Sequence, residues 1–131
     1  YLLKEIFKRG MSNRQLAEEI KPLLGSASIE LFCDSAEPKS IMDLRDCGLS
    51  WAKACHKATG CVEYRIKWLQ HRRIVIDPAR TPNAAREFAN FEYEKDKDGN
   101  VLSRLPDRDN HSIDALAYAL NREIYTRGQT A

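Results

Sequence analysis

Three residues of this sequence have the types and positions from which metal-dependent phosphodiester chemistry is built: Asp34, His111 and Asp114. Asp34 closes the apolar alternation of Ile29, Leu31 and Cys33, which is a strand pattern. It therefore stands at a C-terminal strand end, where α/β sheets place their sites. His111 and Asp114 fall one turn apart near the start of a helical pattern, on the same face. Carboxylates converging on Mg²⁺ or Mn²⁺ make a phosphodiester-cleaving site, because these hard cations take oxygen ligands, activate water and stabilise the attacking and leaving oxygens. An imidazole beside them adds a ligand or shuttles a proton. Each residue also has a structural reading. An aspartate after a strand forms turns or caps helices, one near a helix start complements the helix dipole, and a lone histidine is commonly a surface or capping residue. On pattern alone both readings stand.

Other chemistries find less support. Neither G-x-G-x-x-G, G-x-x-x-x-G-K-[ST] nor G-x-S-x-G occurs, which speaks against a phosphate-cradling loop or a nucleophile elbow. Cys33, Cys47, Cys55 and Cys61 contain no Cys-x-x-Cys pair, the spacing a zinc site favours. The N-terminus lacks a signal-peptide layout, so reduced thiols in a cytosolic setting are expected, with Cys33 a small core hydrophobe. The chain has 131 residues, 43% hydrophobic and 31% charged, enough apolar content for one domain with a core. Lys and Arg number 21 against 19 Asp and Glu, a net charge of +2, which excludes a binder running on bulk positive charge. The longest apolar run, Ala115 to Leu120, is far short of the roughly 20 residues of a membrane span. No Met precedes Tyr1, and the chain reads as a soluble piece of something longer.

The elements that must position these residues alternate in period. Leu2, Leu3, Ile6 and Phe7 read as a strand ending at Gly10. Ser12 and Gln15 form a capping box for a helix carrying Leu16 and Ile20, up to about Pro22. After the Ile29–Cys33 strand, Pro38 opens a helix with Ile41 and Leu44, and Gly48 lies just past its end. Trp51 to Ala54 is read as extended, and Val62, Ile66 and Leu69 as a helical face. Ile74-Val75-Ile76 is a buried-strand pattern closed by Asp77-Pro78. Thr81-Pro82 starts a helix with Ala85, Phe88 and Ala89 inward. Phe91 and Tyr93 look like strand positions before the turn Asp98-Gly99-Asn100. Asn110 can cap a final helix whose Ile113, Leu116, Ala117, Leu120 and Ile124 form one stripe. Strands alternating with helices give an α/β class.

Longer segments carry a resemblance. Cys33-Asp34-Ser35-Ala36-Glu37-Pro38-Lys39-Ser40-Ile41 resembles the DSAEPKSI segment of phage terminase large subunits, and Asp109-Asn110-His111-Ser112-Ile113-Asp114-Ala115-Leu116-Ala117-Tyr118-Ala119-Leu120 resembles that family's closing helix. Lys57-Ala58-Thr59-Gly60-Cys61-Val62, Ile76-Asp77, Glu87-Phe88 and Tyr93-Glu94-Lys95-Asp96 fall between them in the family's order, so the similarity covers essentially the whole chain. The resemblance implies a C-terminal nuclease domain with an RNase H-like mixed sheet flanked by helices. It implies cleavage of concatemeric double-stranded viral DNA by two-metal hydrolysis with Mg²⁺ or Mn²⁺. Asp34 matches the second acidic ligand, Asp114 the last, and His111 a histidine beside the metals; Lys39 and Lys57 are the residues expected to contact DNA. The implied partners are the N-terminal ATPase domain of the same polypeptide, the portal and the small terminase subunit, at the viral prohead in the host cytoplasm, with no membrane.

The family's first catalytic aspartate lies on a central strand upstream of the position matched by Tyr1. The resemblance thus implies a single, N-terminally truncated domain over residues 1–131 that is weakly active or inactive alone. Ala117 stands where the family commonly carries Arg, and the loop from Cys55 to Cys61 departs from a Gly/Ser-rich pattern. Two rivals remain: a non-catalytic DNA-holding or motor-docking module of the same fold, and a resolvase-like nuclease.

Overall fold

Ser12 and Gln15 begin the first helix as their spacing predicts. In the computed structural model, which describes residues 1–25, 29–56 and 61–128, the Gln15 amide donates to Ser12 Oγ at 3.1 Å, and the Ser12 amide to Gln15 Oε1 at 2.9 Å. Helix α1 spans Asn13–Leu24 and runs through Pro22 rather than stopping there. A proline in a last turn removes one ladder bond, and Leu16, Ile20 and Leu24 pack onto the core from the same helix.

The described chain divides into two compact units, each discontinuous in sequence: Ile6–Arg72 with Ala117–Ala131, and Tyr1–Glu5 with Arg73–Leu116. In the first, strands β1 (Leu31–Cys33) and β2 (Ala52–Ala54) pair in parallel, with Leu31 opposite Ala52 and Cys33 opposite Ala54. Parallel neighbours need a crossover, supplied by α2, Pro38–Asp46, with proline in its first turn. Its Ile41 and Leu44 join Ala17, Leu49 and Ala52 in the buried core, with Cys33 and Cys47 packed against it. Gly48, at φ 105°, takes the left-handed conformation that turns the chain from α2 towards β2.

Helix α3, Cys61–Gln70, buries Leu69 and half-buries Ile66 as the apolar spacing indicates, but it leaves Val62 exposed and buries Arg65. The Arg65 guanidinium carbon lies 5.1 Å from the centre of the Tyr118 ring, a cation–π contact, and its Nη1 is buried without a hydrogen-bond partner among the described residues. The final helical stretch is also divided. Helix α5 covers His111–Ala119 and α6 Asn121–Gly128, with Leu120 a turn between them. Asn121 Oδ1 accepts the His56 amide at 2.9 Å, the kind of side-chain bond that draws Asn to helix ends. The apolar stripe survives the break, with Ile113, Ala117 and Ile124 buried.

In the second unit the strands expected over Leu2–Phe7 and Ile74–Ile76 reduce to one parallel bridge between Leu2 and Ile76, with the Leu2 amide on the Val75 carbonyl at 3.0 Å. A strand exists only as far as a partner pairs with it, and here the pairing ends after one register. Helix α4 spans Pro82–Asn90 and buries Ala84 and Glu87; Ala85 and Phe88 are half-buried and Ala89 exposed, which corrects the expected inward face. Thr81 makes no side-chain cap bond there. Glu5 caps the helix instead: Oε1 accepts from the Asn83 amide at 2.9 Å and Oε2 from the Ala84 amide at 3.0 Å. Glu5→Ala is expected to destabilise the protein by about 1–2 kcal/mol, the worth of a strong cap. Urea unfolding checks this, and an unchanged midpoint would mean that water replaces the carboxylate without loss.

Phe91 and Tyr93 are not strand positions. Pairing begins later, where Lys95 bridges Val101 antiparallel and the Glu94 amide reaches the Arg104 carbonyl at 2.9 Å. Gly99 at φ 84° makes the turn. Asp96 Oδ1 accepts the Asn100 and Asp98 amides, both at 2.9 Å. The Asn100 amide, first among these donors, holds the Asp96 carboxyl below its ordinary range. A carboxyl with a depressed folded pKa stabilises fully above its unfolded value and loses that contribution as pH falls through the folded one. The hairpin tip is therefore expected to keep its order at neutral pH and to loosen only below about pH 4. The Asn100 amide resonance should report that transition, and Asp96→Asn should abolish it.

Among the described residues no helix is long and apolar enough to cross a membrane.

Candidate functional site

Asp34 follows β1 directly, and its Oδ1 accepts the Ala36 amide at 3.0 Å. This Asx turn leads the chain from the strand towards α2. The turn-forming role is thus real, and it leaves the residue exposed at the strand's C-terminal end. Lys39 is exposed in the first turn of α2, where Glu37 accepts from Ser40 Oγ at 2.9 Å. Lys57 lies outside the described residues.

Cys33 precedes Asp34 but is no nucleophile. Burial pushes its thiol up from the ordinary value, against the smaller downward pull of the Lys53 amide, so it stays a neutral thiol at physiological pH. Half-buried against the core, it is the small hydrophobe that its strand position predicts, and Cys33, Cys47 and Cys55 are all free.

His111 and Asp114 belong to the other unit. The structure brings these two together in the first turn of α5, His111 exposed as the opening residue and Asp114 half-buried. Asp109, at φ 49°, turns the chain into this helix through a conformation that Asp tolerates better than most residues. The Asp114 amide then bonds the Asn110 carbonyl at 2.9 Å. The start of α5 is held from outside by Glu87, whose Oε1 accepts the Ser112 amide at 2.6 Å. Beside Glu87 a cleft of about 550 Å³ opens, with Arg86, Tyr93, Arg108 and Asp109 in its wall.

Two carboxylates and an imidazole suit a hard divalent cation and not a thiophilic one. Among the described residues no three His, Cys, Asp or Glu side chains gather as a metal-holding group. The donor types of these residues suit Mg²⁺ or Mn²⁺; Asp34 belongs to one unit, and His111 and Asp114 belong to the other.

Two supporting residues are not singled out as site candidates by their type and spacing. Glu87 shows itself in sequence as part of the Glu87-Phe88 pair and as an acid on the face that also carries Ala84, with nothing to indicate its partner. Glu5, separated from its partner by 78 positions, leaves no local signal.

Residues 1–122 match the family model described as the terminase RNase H-like domain. The terminase large subunit of Bacillus phage SPP1 is 38% identical over 130 residues, which are 98% of this chain and 31% of that protein. The PBSX phage terminase large subunit of Bacillus subtilis (strain 168) is 28% identical over 121 residues, 92% of this chain and 28% of that one. The chain thus spans about three tenths of the length of these curated relatives. The crystal structure of the large terminase nuclease domain from bacteriophage SPP1, with bound Mn, aligns at a TM-score of 0.83 and 38% identity, covering 92% of this chain and 69% of that chain.

Proposed function

The chain belongs to the terminase RNase H-like domain family, and from that premise we propose that it is the endonuclease module of a DNA-packaging terminase large subunit, cutting concatemeric double-stranded viral DNA by metal-dependent hydrolysis. Its fold is RNase H-like, an α/β architecture with a small sheet. The observation that carries the proposal is the likeness, over most of this chain, to a nuclease domain solved with manganese.

Asp34, Asp114 and His111 would hold the cation, two ions being the full complement in this reading. When bound, such an ion lowers the pKa of water and neutralises charge at the phosphate. The chain's own residues supply the rest. The Asx turn fixes the Asp34 carboxylate at the end of β1, and the capped start of α5 fixes Asp114. His111, exposed beside it, would either add a ligand or carry a proton at a ring nitrogen. Lys39 and Lys57 meet backbone phosphates, contacts that set register without reading sequence. The partners in this reading are the ATPase domain of the same polypeptide, the portal and the small terminase subunit, at the prohead in the host cytoplasm.

The test is cleavage of linear duplex by the complete large subunit, beside its Asp34→Asn and Asp114→Asn variants. Loss in both supports the assignment. Undiminished cleavage in either removes that residue from the site, a change in stability alone favours a DNA-holding module, and a preference for branched DNA favours a resolvase-like enzyme.

A further inference from the structure

Glu87 is a carboxylate with 2% of its surface exposed, on a helix face where an apolar side chain would pack without cost. Burying a charged carboxyl is unfavourable unless hydrogen bonds satisfy it. Its partner is specific: the Ser112 amide, which donates to Oε1 at 2.6 Å, shorter than an ordinary N–H···O bond. Ser112 is the second residue of α5, flanked by His111 and one turn's reach from Asp114. Its N–H is one of the four donors that a helix start leaves without an internal partner, and a negative charge there meets the positive end of the helix.

We propose that Glu87 is a positioning residue for the nuclease centre: by accepting from Ser112 it fixes the first turn of α5, and with it the direction in which Asp114 and His111 point. The proposal rests on the reading of those two residues as cation ligands. Its support runs back along the chain. Glu5 bonds the first turn of α4 through both carboxylate oxygens, α4 carries Glu87, and Glu87 bonds the first turn of α5. The first turns of two helices, both within one unit, are thus held in series by carboxylates foreign to them, and the last link ends on the turn that bears the ligands. Small displacements at that turn matter, because groups that orient ligands are typically worth 10–100-fold in metal affinity.

The experiment is calorimetric titration of Mn²⁺ into the complete large subunit, together with hydrogen exchange of the peptide covering the start of α5. Glu87→Ala is expected to weaken Mn²⁺ binding by about 10–100-fold and to speed exchange at the first turn of α5. Glu87→Gln keeps an acceptor oxygen and is expected to restore most of both. Where alanine fails to fold, Glu87→Asp keeps the charge but withdraws it from Ser112, and should behave like the alanine variant. Affinity unchanged in a folded Glu87→Ala or Glu87→Asp protein overturns the proposal, as does a glutamine variant no better than alanine. Asp114→Asn, titrated alongside, separates the two levels. Binding insensitive to Asp114→Asn overturns the ligand reading itself, whereas binding lost there but intact without Glu87 overturns positioning alone.

Discussion

Asparagine in place of Asp114 is expected to lower duplex cleavage by the complete large subunit by about 10²–10³-fold, with the fold intact. Two physical roles compete for this residue, and their magnitudes separate them. As a complement to the α5 dipole, a carboxylate in the first turn is worth about 0.3–1 kcal/mol of stability and nothing in catalysis. As a ligand it supports several kcal/mol of charge stabilisation in the transition state, and each 1.36 kcal/mol is about a factor of ten in rate. The amide is nearly isosteric, and the Glu87–Ser112 bond that holds the turn does not involve the substituted group. A small loss of stability with full activity would therefore establish the dipole role, and the reverse pattern the ligand role. Asp34→Asn is a matched control. An asparagine oxygen can still accept the Ala36 amide, so the turn should persist while the charge is lost. Calorimetry with Mn²⁺ should show both variants impaired before any DNA is present.

The second large effect concerns stability. Ile124→Ala is expected to cost about 2–5 kcal/mol and to lower Tm by on the order of 10 °C. Ile124 is 0% exposed. Its amide bonds the Leu120 carbonyl at 2.9 Å at the start of α6, and its own carbonyl accepts from Tyr64 on α3 at 3.4 Å. A cavity there opens beneath two helices whose backbone is already tied, so collapse around it is limited. Met42→Ala makes the comparison, since Met42 is 60% exposed and should shift stability by no more than about 0.5 kcal/mol. Thermal unfolding followed by circular dichroism measures both.

Signals that act over one turn of chain were legible. The Ser12–Gln15 box, proline opening α2 and α4, and glycine after α2 are all where the sequence places them, because each depends on neighbours a few residues away. Strand extent was not. Leu2–Phe7 has the composition of a strand and forms a single bridge, since a strand's length belongs to its partner as much as to itself. Helix faces differed where a charged residue met a distant group: Arg65 turned inward against the Tyr118 ring, and Glu87 turned inward to Ser112. The break at Leu120 follows from Asn121 bonding a backbone amide 65 positions away. At the candidate site, residue types and spacing singled out Asp34, His111 and Asp114 without deciding between structural and chemical roles; the long motifs around them tipped that balance. Glu5 was invisible because nothing near it in sequence records what it caps.

The interleaving of the two units has a consequence during synthesis. Glu5 leaves the ribosome long before Asn83, 78 positions later, and at about 5–20 residues per second the wait lasts several seconds. Leu2 waits almost as long for Ile76, and Tyr64 for Ile124. Neither unit can close on the growing chain until its distant piece has emerged: residues 1–5 wait for 73–116, and residues 6–72 for 117–131. Through that interval Leu2 lacks the Ile76 backbone that it bridges in the folded unit, an unpaired strand edge of the kind that other strands can take.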